Sequence, residues 1–416
     1  MDNFNPHHTT LDHLFRHEYS KLVALLTNRY GAALLDLVED AVQEALLKAG
    51  KVWSYQPIPD RPGAWLYRVA NNKMIDFLRR EKKSVDFETN HSDAEADAKA
   101  YEIEEEVIQD EMLKMIFACC HPSMKPQEQL MLSLKLLCGL SVKEIARALL
   151  KSEEATKKAI QRAKQKFKNE VGDLRVPRED EIADRLNAVL QVIYLLFNEG
   201  YKATDGEELM KQELCEEAIR LGFLMLNEPQ CESNELNALI SMMLFKAARF
   251  PARQDASGRL LTLKQQDRSL YRQDYIQWAW RFLKRSSDWE NTTAYQLEAA
   301  IASYYTTAPT YAETNWKQIL RLYDALITHK PSPVVKMSRV VVLSQVEGPA
   351  VALECMQQIE EELITNQSFQ ALKADLYAQL GDWNKARYHV SVAIRQAENR
   401  TERRFLEAKL DAWRGK

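Results

Sequence analysis

Glycine and proline are scarce in this chain, 12 and 13 among 416 residues. Sustained alternation of apolar and polar residues is absent as well. Together these exclude a hairpin-rich sandwich or barrel and leave an all-α fold as the expected class. Cysteine is limited to Cys119, Cys120, Cys138, Cys215, Cys231 and Cys355, with no CxxC pair. That excludes zinc-ribbon and thioredoxin-type motifs and makes free thiols in a reducing, cytoplasmic setting the expectation. Cys119-Cys120-His121 follows the apolar helix end Met115-Ile116-Phe117-Ala118 and reads as packing rather than as a metal site. His13 and His17 lie one helical turn apart with no acid or thiol placed beside them, and read as surface. No apolar run reaches membrane-spanning length and no signal peptide is visible, so no membrane partner is expected. The phosphate-binding Gly-Lys-Ser/Thr loop, HExxH and GxSxG are all missing, which argues against an enzyme, a catalytic residue or a cofactor. Net charge is only −4, so the chain is no general polycation, and a nucleic-acid site must arise from local charge asymmetry.

Such asymmetry is present. Residues 61–83 carry seven Lys/Arg against two acids, whereas 84–111 carry eleven acids against one lysine. The second stretch is nearly devoid of apolar residues up to Tyr101 and reads as a flexible acidic linker over 84–106. It separates a helical unit at 8–83 from a second at 107–172. Pro177 marks a further boundary, with a helical region at 178–416. With 46% hydrophobic residues, the chain can furnish cores for two or three domains.

The segment GLSVKEIARALLKSEEATKKAIQRAKQKFK, Gly139 to Lys168, holds two helical patterns. Ser141 and Glu144 form a capping-box signature, and Val142, Ile145, Ala146 and Leu149 share one stripe. Ser152 can cap a second helix whose first turn holds Glu153 and Glu154, where the helix dipole favours acids. Ala155, Ala159, Ile160, Ala163 and Phe167 make its apolar face. Small alanines at the crossing allow the close, steep approach of a helix-turn-helix, whose second helix reads the major groove. A helical hairpin with a charged outer face fits the same pattern. Upstream, PDRPGAWLYRVANNKMIDFLRREKK has Pro62 opening a helix and Trp65, Leu66, Val69, Ile75 and Leu78 as its apolar stripe. Tyr67, Arg68, Asn71, Asn72, Lys73, Arg79 and Arg80 remain on other faces. Aromatic, amide and guanidinium groups together suit unpaired DNA, although a helix with merely solvated cations satisfies the pattern too.

DAVQEALLKA, then PGAWLYRVANNKMIDFLRR, then an acidic linker and the helix-turn-helix resemble, in that order, a bacterial sigma factor of the extracytoplasmic-function type over residues 8–172. The resemblance implies a region 2 helical bundle and a region 4 helix-turn-helix domain. It implies core RNA polymerase and promoter DNA as partners. Asp40, Gln43 and Glu44 become the candidate polymerase-docking face. Trp65, Arg68, Asn71, Asn72, Arg79 and Arg80 become candidates for the −10 element and strand opening. Lys151, Glu153, Glu154, Thr156, Lys157, Lys158 and Arg162 become candidates for the −35 duplex. Ala159 stands where many members carry an arginine.

Beyond Pro177, NEGY (Asn198–Tyr201), QQDRSLY (Gln265–Tyr271) and NWKQILRLYDAL (Asn315–Leu326) resemble the large C-terminal extension of one sigma-factor subgroup. Gly348 precedes Gly381 by 33 residues and Ala352 precedes Ala386 by 34. Both are near the roughly 34-residue period of tetratricopeptide-like repeats. Such repeats offer a face for a protein partner and suggest control in cis. A helix-turn-helix regulator acting without polymerase, and a repeat-type interaction scaffold, remain as alternatives.

Overall fold

The computed structural model describes residues 11–84, 105–149, 151–172, 174–201, 208–255, 258, 260–287, 292–397 and 400–415. The acidic linker therefore falls almost entirely outside the described residues, as does the side chain of His13. Among the described residues there is no strand, only one isolated antiparallel bridge between Gln254 and Leu260. The all-α expectation holds. The chain divides into two compact units, Met1–Leu196 and Phe197–Lys416.

The first unit contains α1 (Leu11–Tyr30), α2 (Leu35–Val52), α3 (Pro62–Ser84), α4 (Glu105–Cys119), α5 (Pro126–Leu132), α6 (Val142–Ala148) and α7 (Glu153–Glu170). Helix α8 (Glu179–Tyr201) spans the division between the units. Helices α1, α2 and α3 pack on one another over Leu22, Val23, Leu26, Leu35, Val38, Val42, Leu66 and Met74, all fully buried. Pro62 opens α3 as expected, its missing N–H being one the first turn would leave unpaired. The inward stripe of α3 is rotated from the expected one. Leu66, Tyr67, Ala70, Asn71 and Met74 are buried, whereas Trp65, Val69, Ile75 and Leu78 are half-buried. Two polar tips go inward because each finds a partner. Arg29 Nη1 donates to the Tyr67 hydroxyl at 3.2 Å, and the Tyr30 hydroxyl donates to Asn71 Oδ1 at 2.8 Å.

After α4, whose end buries Cys119 and Cys120 completely, α5 runs into a π-helical turn at Ser133–Leu137. Burial pushes the Cys120 thiol up to about 12 and the Cys119 thiol well up, so both cysteines behave as core. Both caps read from the sequence are present. Ser141 N donates to Glu144 Oε2 at 2.7 Å and Glu144 N to Ser141 Oγ at 3.2 Å. Ala155 N donates to Ser152 Oγ at 3.2 Å, opening α7. Helices α6 and α7 pack through Ile145, Ala146, Ile160, Ala163 and Phe167, all buried. Full burial of a Phe167-sized side chain contributes roughly 1.5–3 kcal/mol.

The second unit continues with α9 (Glu208–Met225), α10 (Asn234–Ala247), α11 (Gln273–Arg285), α12 (Ala294–Thr307), α13 (Trp316–His329) and α14 (Pro333–Val346). It ends with α15 (Pro349–Gln357), α16 (Glu360–Leu363), α17 (Gln367–Gln379), α18 (Trp383–Gln396) and α19 (Arg400–Ala412). Helix α10 is apolar all round and buried from Leu236 to Phe245, so α9, α11 and α12 pack about it. From α12 onward the principal contacts run between helices adjacent or nearly adjacent in sequence. Gly348 and Gly381 sit at the turns of α14–α15 and α17–α18 with φ of +91° and +79°, a conformation that favours glycine. Ala352, Ala386 and Ala393 are fully buried.

Candidate polymerase and nucleic-acid interface

Helix α2 is amphipathic, with Val38, Ala41, Val42 and Ala45 inward. That phase forces Asp40, Gln43 and Glu44 outward, and all three are exposed, together with Leu47 and Lys48. Glu44 forms an ion pair with Lys73 of α3. An acidic and amide surface next to an exposed leucine is chemically suited to a protein partner.

A groove of about 440 Å³ opens between α2 and α3, lined by Glu44, Lys48, Trp65, Arg68, Val69, Asn72, Lys73 and Asp76. Trp65 is half-buried, its ring 5.4 Å from Trp53, which in turn meets Phe15 at 5.8 Å. With this supported aromatic wall the lining combines a guanidinium, an amide, two ammonium groups and two carboxylates, Glu44 and Asp76, the first of them paired with Lys73. Arg68, Asn72, Arg79 and Arg80 are exposed. Asn71 is not. It is 2% exposed and braces α3 to α1 through Tyr30, so its assignment to the −10 contacts is withdrawn. Asn71→Ala is expected to lower fold stability by about 1–3 kcal/mol, because it removes a buried acceptor. Chemical denaturation of the variant beside Asn72→Ala, expected to be near neutral, separates the two roles.

On α7, Lys157, Lys158 and Arg162 are exposed, as are Lys151, Glu153 and Glu154 at its start. Lys158 pairs with Glu154 at 2.7 Å along the helix surface. Thr156 is again a correction. It is fully buried, its hydroxyl has no hydrogen-bond partner among the described residues, and it cannot reach DNA from there. Thr156→Val is expected to leave duplex affinity unchanged and stability equal or higher, since it removes an unpaired buried hydroxyl. A duplex-binding titration and a thermal melt check both.

Packing of α6 and α7 against α1 and α2 was invisible in the sequence. The last turns of α7 carry Lys164 and Lys168, and both form ion pairs with Asp36 at the start of α2. Lys164 also pairs with Glu39, which is 3% exposed and accepts the Tyr19 hydroxyl at 2.7 Å, with Lys135 Nζ 3.7 Å away. Arg16 of α1 reaches Glu144 of α6 at 2.8 Å. Gly139 fits beneath them with φ of +65°, where an added Cβ would lie 3.0 Å from Arg16 O and 3.3 Å from the Tyr19 ring. Both the backbone conformation and the close approach require glycine there. Burial tends to raise the Asp36 carboxyl, but Lys168 and Lys164 together hold it below its usual value. Burial pushes the Tyr19 phenol well up, reinforced by the Glu39 charge.

Among the described residues no helix is long and apolar enough to cross a membrane, and no group of three or more His, Cys, Asp or Glu could hold a metal ion.

Comparison with known proteins agrees with this geometry. The model of sigma-70 region 2 matches residues 14–84, and that of sigma-70 region 4 matches 114–167. A family of unknown function (DUF6596) matches residues 185–287. An uncharacterized protein of Rhizobium meliloti (strain 1021) is 35% identical over 381 residues, covering 91% of this chain and 90% of that protein. No solved structure matches. Exposed polar faces on α2, α3 and α7 thus fall within regions 2 and 4, whose presence implies core RNA polymerase and promoter DNA as partners. The chain belongs with that relative to one family, of ECF-like sigma factors that serve promoter-specific transcription initiation and continue, past region 4, into a helical domain of unknown function.

Proposed function

We propose that α2 docks on core polymerase through Asp40, Gln43 and Glu44. The α2–α3 groove then captures an unpaired base of the −10 element, and the exposed start of α7 reads the −35 duplex. The groove carries this reading. It joins a braced tryptophan to Arg68 and Asn72, the combination that stacks, hydrogen-bonds and neutralises phosphate on single strands. Opening draws on base capture and polymerase contacts, so no nucleotide hydrolysis by this chain is required.

Contacts between region 2 and region 4 act as a latch. While Asp36 and Glu39 hold Lys164 and Lys168, two cations of the reading helix are kept from phosphate. Asp36→Asn with Glu39→Gln is expected to speed amide exchange in the last turns of α7. For the wild type the sign with pH is fixed. A carboxyl depressed by its partners stabilises the latch above the unfolded carboxylate range, about 3.9 for Asp, and that contribution is lost as pH falls through the depressed value. Acid should therefore loosen α7 in the wild type and have less effect in the variant. Hydrogen exchange, corrected for intrinsic rates, reads both.

The second unit acts in cis and assists initiation. Its successive helix pairs, with alanines at their crossings and positive-φ glycines at their turns, support a tetratricopeptide-like array with a face for a protein partner. Truncation tests this, provided it spares the first unit. Arg185 Nη2 donates to Phe117 O at 2.6 Å, so a cut at Arg178 would damage region 4 itself. A chain ending at Leu196 that supports undiminished transcription from a cognate promoter would remove the assisting role.

A further inference from the structure

The motifs NEGY and QQDRSLY lie more than sixty residues apart yet meet in the second unit. Tyr201 ends the first and packs its ring on Phe197 and Phe250, at 5.7 and 5.9 Å. Above that ring stand Arg253, with Cζ 4.2 Å from the centroid, and Lys246, with Nζ at 5.6 Å. Arg253 also donates to Tyr201 O at 3.0 Å. Beside them Arg249 donates twice to Gln266 Oε1, at 3.3 and 3.1 Å, and the Tyr271 hydroxyl donates to the same oxygen at 3.0 Å. From the second motif Arg268 donates through Nη1 to the carbonyls of Tyr305 and Ala308. Its Nη2 is buried without a partner.

Three cations, Lys246, Arg249 and Arg253, therefore crowd one phenol, and Arg268 stands within the field of Arg249, with almost no counter-charge among the described residues. Among the described residues no carboxylate pairs with Arg249, Arg253 or Arg268, and Lys246 has only Glu298, at 3.9 Å and shared with Lys330. Asp267 is engaged with Ser269 through both backbone and hydroxyl. The crowding registers on the groups themselves. Burial alone would raise the Tyr201 hydroxyl, yet Arg249, Arg253 and Lys246 bring it below its ordinary value. Burial lowers the Arg268 guanidinium, and Arg249 lowers it further. Like charges held together without a carboxylate partner among the described residues, with a buried donor left over, form an arrangement that an added anion stabilises. Guanidinium forks match the paired oxygens of phosphate better than a single ammonium does.

We propose that Lys246, Arg249 and Arg253, gathered around Tyr201, together with Arg268 next to Arg249, form a binding site for a small phosphate-bearing ligand. This site stands apart from the promoter reading and does not depend on it.

Pyrophosphate is the probe, titrated calorimetrically into the full-length protein against sodium chloride of matched ionic strength. Saturable one-site binding is expected. Arg249→Gln and Lys246→Gln are expected to weaken it at least tenfold each, while Arg285→Gln, which removes an exposed cation at the end of α11 that pairs with Glu232, leaves it unchanged. Circular dichroism identifies any variant that fails to fold. Lys246 is held only by a long ion pair and its position over Tyr201, and is the substitution least coupled to packing. The wild-type titration stands without any variant: no saturable heat above the chloride control overturns the proposal. So does equal loss in Arg285→Gln, or a short DNA duplex displacing pyrophosphate at matched phosphate concentration, which would make the patch a nucleic-acid surface.

Discussion

Alanine at both Arg68 and Asn72 is expected to abolish promoter opening while the protein still folds and still binds core polymerase. Both side chains are exposed and line the α2–α3 groove, whereas Asn71, one position before Asn72, is buried. Each base-reading contact is worth about 1–3 kcal/mol, so losing both should cut opening by on the order of a hundredfold or more. Permanganate reactivity of −10 thymines measures this directly. Wild-type reactivity in the double variant would move base capture away from the groove. Trp65 requires a separate experiment, because its contact with Trp53 makes it a wall of the groove and part of the core at once.

The second large effect is at the docking face. Asp40, Gln43 and Glu44 project from α2 because Ala41, Val42 and Ala45 are fully buried behind them. Replacing all three with alanine should change stability little, since exposed substitutions usually lie within about 0.5 kcal/mol. Affinity for core polymerase should fall at least tenfold. Glu44 also pairs with Lys73, so Glu44→Gln and Lys73→Met form a useful pair. If the ion pair only shapes the groove, both variants weaken opening and spare docking. Unchanged core affinity in the triple variant would place the docking surface elsewhere on the protein.

Local chemistry made the fold class and the helix-turn-helix legible. Ser141, Glu144 and Ser152 announce helix starts within a few residues, and the structure shows each cap bonded as its spacing demands. Orientation around a helix was less legible. The helical pattern placed Asn71 on an outer face, and the family resemblance made Thr156 a candidate for the duplex. Packing placed Asn71 inward, where the Tyr30 hydroxyl satisfies it, and buried Thr156 without such a partner. Contacts between distant segments were not legible at all. Lys164 and Lys168 pair with Asp36 and Glu39, more than 100 residues away, and nothing in their own segment points to those partners. The close approach of Gly139 to Arg16 and Tyr19 of α1 is likewise a long-range contact that its own segment does not announce. The NEGY and QQDRSLY motifs stood out in the sequence, but their shared purpose depends on Arg249 and Arg253, which lie in neither.

Gly139→Ala probes that contact without touching any charge. It forces a side chain into positive φ, at roughly 1–2 kcal/mol, and presses a methyl toward Arg16 O and the Tyr19 ring. The expected result is faster exchange along α6 and the last turns of α7, with α3 unaffected.

All of these effects presuppose that the protein lends promoter recognition to polymerase. The most direct measurement is transcription in vitro by core polymerase freed of other sigma factors, with this protein added, on a randomised promoter pool. Transcripts that appear only with the protein, start at defined positions, and enrich one −10 and −35 pair at fixed spacing are the predicted result. Specific duplex binding by the protein alone, with no affinity for core polymerase and no transcripts, would contradict it.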